Sequence, residues 1–189
     1  MTTFKSRLAA VALFFALATS AATVNANPLA TEQGFEGQQI SKRVRKELVT
    51  LPYYGVFDNL AYKIEGGTVT LYGQVVRPST RSDAARRVAK IKGVERVVNN
   101  IEVLPLSTFD DRIRTQAYRT IFNTSSLYRY AMGSNPSIHI IVNRGHLTLE
   151  GVVGNRMDKQ LAEFAARGLP GVFSVTNNLI DESAERARR

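Results

Sequence analysis

The 189 residues carry 25 Lys and Arg against 16 Asp and Glu, only two His, and no Cys. A chain of this length holds one domain or two small ones, and the lack of Cys excludes disulfide staples, thiolate metal sites and tethering through a lipidated Cys. The formal charge of +9 suits an anionic partner.

Lys5 and Arg7 open the chain, the uncharged apolar residues 8–18 follow, and Val24-Asn25-Ala26 has the small-x-small pattern of a cleavage site. Residues 1–26 therefore read as a secretory signal peptide. The apolar run is too short for a membrane span, which needs about 20 residues. Export predicts a periplasmic protein, with any membrane association made through its surface, and argues against nucleic acid as the partner.

A first helix is predicted over residues 38–50, with Ile40, Val44 and Leu48 on one stripe. The aromatic run Tyr53-Tyr54-Gly55-Val56-Phe57 follows. Glu65-Gly66-Gly67 then supplies turn chemistry for a hairpin. After it Val69, Leu71, Gly73 and Val75 alternate with Thr68, Thr70, Tyr72 and Gln74, the pattern of a half-buried strand. A second helix is expected over 79–92, with Ala84, Val88 and Ile91 inward, and a last strand over 94–103. Residues 104–109 read as a linker.

The order then repeats. Gly67-Thr68-Val69-Thr70-Leu71-Tyr72-Gly73-Gln74-Val75 aligns with Gly145-His146-Leu147-Thr148-Leu149-Glu150-Gly151-Val152-Val153 at an offset of 78 residues. At the same offset Gly93-Val94-Glu95-Arg96-Val97-Val98-Asn99-Asn100-Ile101 aligns with Gly171-Val172-Phe173-Ser174-Val175-Thr176-Asn177-Asn178-Leu179. Over 67–101 against 145–179, 11 of 35 positions are identical, which marks a duplication. Upstream, Ile113, Ala117 and Ile121 answer Ile40, Val44 and Leu48, so the second repeat carries five extra residues in its next connection. Asp110 or Asp111 is expected to cap its first helix. Asn143-Arg144-Gly145 forms its turn, Leu161, Ala165 and Leu169 line its second helix, and its last strand is expected over 172–180. The fold class is α/β (α+β): two tandem units over 38–104 and 110–181, each a small mixed sheet covered by two helices, then a charged, frayed tail over 182–189.

The amphipathic helix, the "Gly-Gly-Thr-Val-Thr-Leu-Tyr-Gly-Gln-Val" strand, the charged helix and "Gly-Val-Glu-Arg-Val-Val-Asn-Asn-Ile" resemble the BON domain, a family named for bacterial osmotic-stress and nodulation proteins. Both copies carry the pattern. The resemblance implies a compact α/β unit, a cell-envelope location, binding of phospholipid or another envelope surface, a role in envelope maintenance under osmotic stress, and no enzymatic activity. It hands over no ligand-binding residue, because its matching Gly, Val and Asn positions are structural. The aromatic run in repeat one and the enlarged connection in repeat two depart from it.

Two groups of residues are candidates for function. The first is basic: Arg81, Arg86, Arg87, Lys90 and Lys92 on and after the second helix, with Lys42, Arg43, Arg45 and Lys46 on the first helix. Each such residue near an anionic bilayer contributes about 1 kcal/mol, set against the plain alternative of a solvated helix face. The second is the mixture of Arg119, Phe122, Tyr128, Arg129 and Tyr130, together with Tyr118, whose rings are expected either in a membrane interface or between the repeats. His139 and His146 have no third ligand at metal spacing. No nucleophile elbow, phosphate loop or dinucleotide glycine pattern occurs, so no metal, cofactor or catalytic residue is expected. The leading expectation is a peripheral binder of anionic phospholipid. The alternative is a module for protein interaction or self-association.

Overall fold

The computed structural model describes residues 28–124, 126–133 and 135–188, and the signal-peptide reading of 1–26 lies outside them. In the first unit α1 (Pro28–Val49) leads into β1 (Asn59–Glu65), β2 (Thr68–Val75), α2 (Pro78–Val88) and β3 (Arg96–Val103). In the second, α3 (Thr108–Phe122) leads through a 3-10 turn (Tyr128–Ala131) into β4 (Ile138–Asn143), β5 (His146–Val153), α4 (Arg156–Arg167), β6 (Ser174–Asn177) and β7 (Ile180–Asp181). A final helix α5 (Glu182–Ala187) closes the described chain, capped by Asp181, so the expected frayed tail is helical.

The two sheets share one plan. β1 pairs antiparallel with β2, and β2 pairs parallel with β3. β4 pairs antiparallel with β5, and β5 pairs parallel with β6 and then β7. The alternation read in the sequence sets the faces: Val69, Leu71 and Val75 are buried with Ile40, Val44, Leu48, Ala84, Val88 and Ile91. Leu147, Leu149 and Val153 are buried with Ile113, Ala117, Ile121, Ala162, Ala166 and Leu169.

The repeated residues do repeated work. Gly73 and Gly151 have φ of 113° and 116°, and a Cβ on either would collide with the carbonyl oxygen of Asn59 or of Ser137 on the neighbouring strand. Only glycine permits that approach. The turn positions Gly66 and Arg144 both take left-handed φ, 58° and 52°.

The cap of α3 differs from expectation. Ser107 accepts the Asp110 amide at 3.1 Å and is the N-cap. Asp110 is instead buried and accepts the amides of Arg144 and Gly145 at 2.9 and 2.8 Å, pinning the β4–β5 turn to the helix start. A short extended lead-in before the helix places Ser107 at the boundary, and the burial of Asp110 comes from a turn 34 residues away.

Candidate functional site

In the first unit, Pro78 starts α2 without needing its missing amide, and Ala84 and Val88 anchor the helix on the sheet. That rotation leaves Arg81 and Arg86 exposed, and Lys90 and Lys92 are exposed in the turns beyond. Arg86 pairs with Asp83 on its own helix. Arg87 reaches across to α1, where its Nη1 lies 3.5 Å from Glu47 Oε2 and donates to the Thr50 carbonyl at 3.3 Å. Arg43, Glu47, Arg87, Lys90, Ile91 and Lys92 line a cleft of about 310 Å³ between the two helices. Arg43, Arg87, Lys90 and Lys92 are thus brought together, while Arg81 and Arg86 lie outside that cleft.

The second group is not. Phe122 is 3% exposed and Tyr130 9% exposed, both in the core of the second unit, so neither is offered to a surface. The five-residue enlargement forms a 3-10 turn that folds inward over Leu127 and Tyr130. Its local sequence reads the same inward or outward, which is why the sequence left these rings open between a membrane interface and packing between the repeats. The Tyr130 hydroxyl donates to Asp158 Oδ2 at 2.6 Å and accepts the Gly154 amide at 2.8 Å. Arg129 pairs with the same carboxylate and lies over the Tyr130 ring. Burial works to raise the Asp158 carboxyl, but hydrogen bonds from Tyr130 and Arg129 help to outweigh it and hold it below the usual range. Arg119 and Tyr128 remain exposed, and Tyr118 packs edge-on between Phe57 and Phe122.

Other aromatics take the exposed place. Phe109 and Phe173 stack with ring centroids 6.0 Å apart, Phe173 is 70% exposed and Phe164 on α4 is 80% exposed. Phe173 lies against Gly145 of the turn, and Arg112 and Arg144 are exposed close by in sequence. The repeat alignment held the signal for these rings: Phe164 answers Arg86 and Phe173 answers Glu95, both solvent positions in the first unit.

The units meet through the aromatic run. The Ile140 amide on β4 donates to Val56 O at 2.7 Å, Tyr54 packs on the His139 ring at 5.6 Å, and Phe57 meets Tyr118. His139 Nδ1 lies 3.2 Å from Gly55 O, and Asp58 accepts the amides of Val76 and Gly55. Burial raises the Asp58 carboxyl, lowers the His139 imidazole, and pushes the Tyr54 hydroxyl up to about 12. Among the described residues no group of three or more acidic, His or Cys side chains is placed to hold a metal, and no helix is long and apolar enough to cross a membrane.

The family model described as BON domain matches residues 37–105 and again 110–180. No curated protein matches the chain. Two similar solved structures come from studies of CdsD, a structural protein of the Type III secretion system of Chlamydia trachomatis. The first is 12% identical, covers 79% of this chain and 96% of that chain, and has a TM-score of 0.28. The second, a C-terminal domain, is 12% identical, covers 74% and 96%, and has a TM-score of 0.27.

Proposed function

Because the chain belongs to the BON-domain family, whose domains are non-catalytic binding modules typical of the cell envelope, we propose that it is an exported periplasmic protein that binds anionic phospholipid surfaces peripherally. Envelope maintenance under osmotic stress is the role this reading assigns to it. The observation that carries the reading is the Phe109–Phe173 stack, in which Phe173 is 70% exposed, with Arg112 exposed three residues after Phe109 and Arg144 exposed next to the Gly145 against which Phe173 lies. Rings can enter the headgroup boundary while Arg reaches phosphate. The basic face of the first unit, including Arg81, Arg86, Lys90 and Lys92, adds attraction that salt screens.

Flotation of the mature chain with vesicles tests this. Vesicles of phosphatidylglycerol or cardiolipin are expected to carry the protein at low salt and less of it at physiological salt, and phosphatidylcholine vesicles are expected to carry none. Equal flotation with anionic and zwitterionic vesicles, or none with either, sinks the reading.

One observation favours a second reading, a protein-interaction module. β1 has a single strand neighbour and leaves a sheet edge of the kind that residues 54–57 partly cover on β4. An extended peptide can add to such an edge. Capture through backbone bonds is far less salt-sensitive, so the salt series separates the two.

A further inference from the structure

The duplication supplies an internal control for every surface of the first unit. Helices α1 and α2 form a groove whose walls carry Arg43, Arg87, Lys90 and Lys92 against the single carboxylate of Glu47, with buried Ile91 beneath. The second unit has the same helix pair at the same offsets. There Arg43 becomes Gln116 and Glu47 becomes Thr120, while Arg87, Lys90 and Lys92 become Ala165, Gly168 and Pro170, and Ile91 becomes Leu169. Every ionic position is lost and the apolar floor is kept. The fold therefore stands without these cations, and gathering four like charges in one groove has an electrostatic cost that the second unit avoids.

The arrangement is also partly preorganised. Arg87 is held by Glu47 and the Thr50 carbonyl through Nη1, its side chain keeps 36% of its exposure, and it lines the cleft. The Glu47 contact is long at 3.5 Å and easily exchanged for a stronger acceptor. A cleft lined with one sign of charge concentrates counter-ions of the other, and Arg with flanking Lys is the chemistry that binds a phosphate. Four cations against one carboxylate suit a dianion better than a singly charged diester.

We propose that the α1–α2 groove of the first unit is a binding site for a phosphomonoester or pyrophosphate group. It is distinct from the aromatic surface of the second unit. The phosphate belongs either to a lipid headgroup or to a soluble metabolite.

The test is a pyrophosphate titration of the mature two-unit chain followed by amide NMR at constant ionic strength. Saturable shifts are expected in residues 43–50 and 87–92 and not in 116–120 or 165–170. The double variant K90S/K92S is expected to bind about tenfold more weakly or worse. R43Q, which takes the residue of the second unit, is a second variant that keeps the test valid if the first loses its fold. A second arm compares vesicles of phosphatidic acid and of phosphatidylglycerol at equal surface charge. Preference for phosphatidic acid that K90S/K92S abolishes identifies a headgroup, and pyrophosphate binding without that preference identifies a soluble ligand. Shifts that never saturate, that spread over both units, or that neither variant weakens overturn the proposal. Loss of phosphatidylglycerol flotation with pyrophosphate binding intact would sink the membrane reading and leave this site standing.

Discussion

Asn177 ties the end of β6 to the preceding helix α4: its Nδ2 donates to the Lys159 carbonyl at 2.9 Å while its Oδ1 accepts the Leu179 amide at 3.2 Å. Asn99 does the same 78 residues earlier, donating to Arg81 O at 3.0 Å and accepting the Ile101 amide at 3.2 Å. Asn99→Ala and Asn177→Ala are each expected to destabilise their unit by about 1–3 kcal/mol, because a backbone donor and acceptor lose their partner together. Urea unfolding should show it. No change in either midpoint would mean that the shared Asn serves something other than this strand-to-helix tie.

Gly73→Ala and Gly151→Ala are expected to cost more, upwards of about 3 kcal/mol each, since both the positive φ and the facing carbonyl oppose a side chain. Thermal unfolding by circular dichroism should lose the affected unit's transition. A variant that melts with the parent would show that the β1–β2 or β4–β5 approach relaxes easily.

Tyr130→Phe removes the hydroxyl that serves both Asp158 and the Gly154 amide. About 1–3 kcal/mol of stability should go with it. The carboxyl of Asp158 is held below its ordinary value, so its contribution is present above pH 3.8 and is lost as pH falls through the folded value. The variant is therefore expected to show a weaker acid dependence than the parent between pH 5 and pH 2, measured as urea midpoints.

His139 at the seam predicts a dependence at milder pH. Its imidazole is lowered below 6.5 by burial, with Tyr54 and Asp58 facing it from the first unit and Glu150 opposite it on β5. A lowered imidazole contributes stability that is full above 6.5 and declines as pH falls through the folded value. The raised carboxyl of Asp58 acts in the opposite sense, adding stability as it takes up its proton. The difference in melting temperature between the parent and His139→Gln should therefore shrink or reverse from pH 7.5 to pH 5.5, because Asp58 is common to both. A constant difference would remove the imidazole from the account.

Phe109→Ser with Phe173→Ser is expected to lower the melting temperature by only a few degrees, since Phe173 is 70% and Phe109 38% exposed. Flotation with phosphatidylglycerol vesicles should fall several-fold. Unchanged flotation would move the membrane contact to the basic face of the first unit.

Most of the fold was legible in the sequence. Period-2 and helical patterning are local properties, and the 78-residue offset doubled every signal, so the two units, their element order, their buried stripes and their hairpin turns follow from residues near one another in the chain. The exposure of the basic residues was legible for the same reason: Ala84 and Val88 set the rotation of α2 and leave Arg81 and Arg86 outside, with Lys90 exposed just beyond it. The aromatics were not. Tyr130 turns inward because Asp158, 28 residues away, holds its hydroxyl, and Phe122 is covered in part by Tyr118. Phe173 stays out although its sequence neighbourhood is as apolar as theirs, because Phe109, the Gly145 turn and the edge of the His146 ring lie against it and leave it 70% exposed. Residues 54–57 likewise show no sign in sequence of the β4 edge they pair with, 84 positions on from Gly55 to His139. The sequence by itself determined which residues form each unit. The tertiary structure decided which rings are covered and how the units join, because burial depends on what distant chain arrives to exclude water, and periodicity carries no record of that.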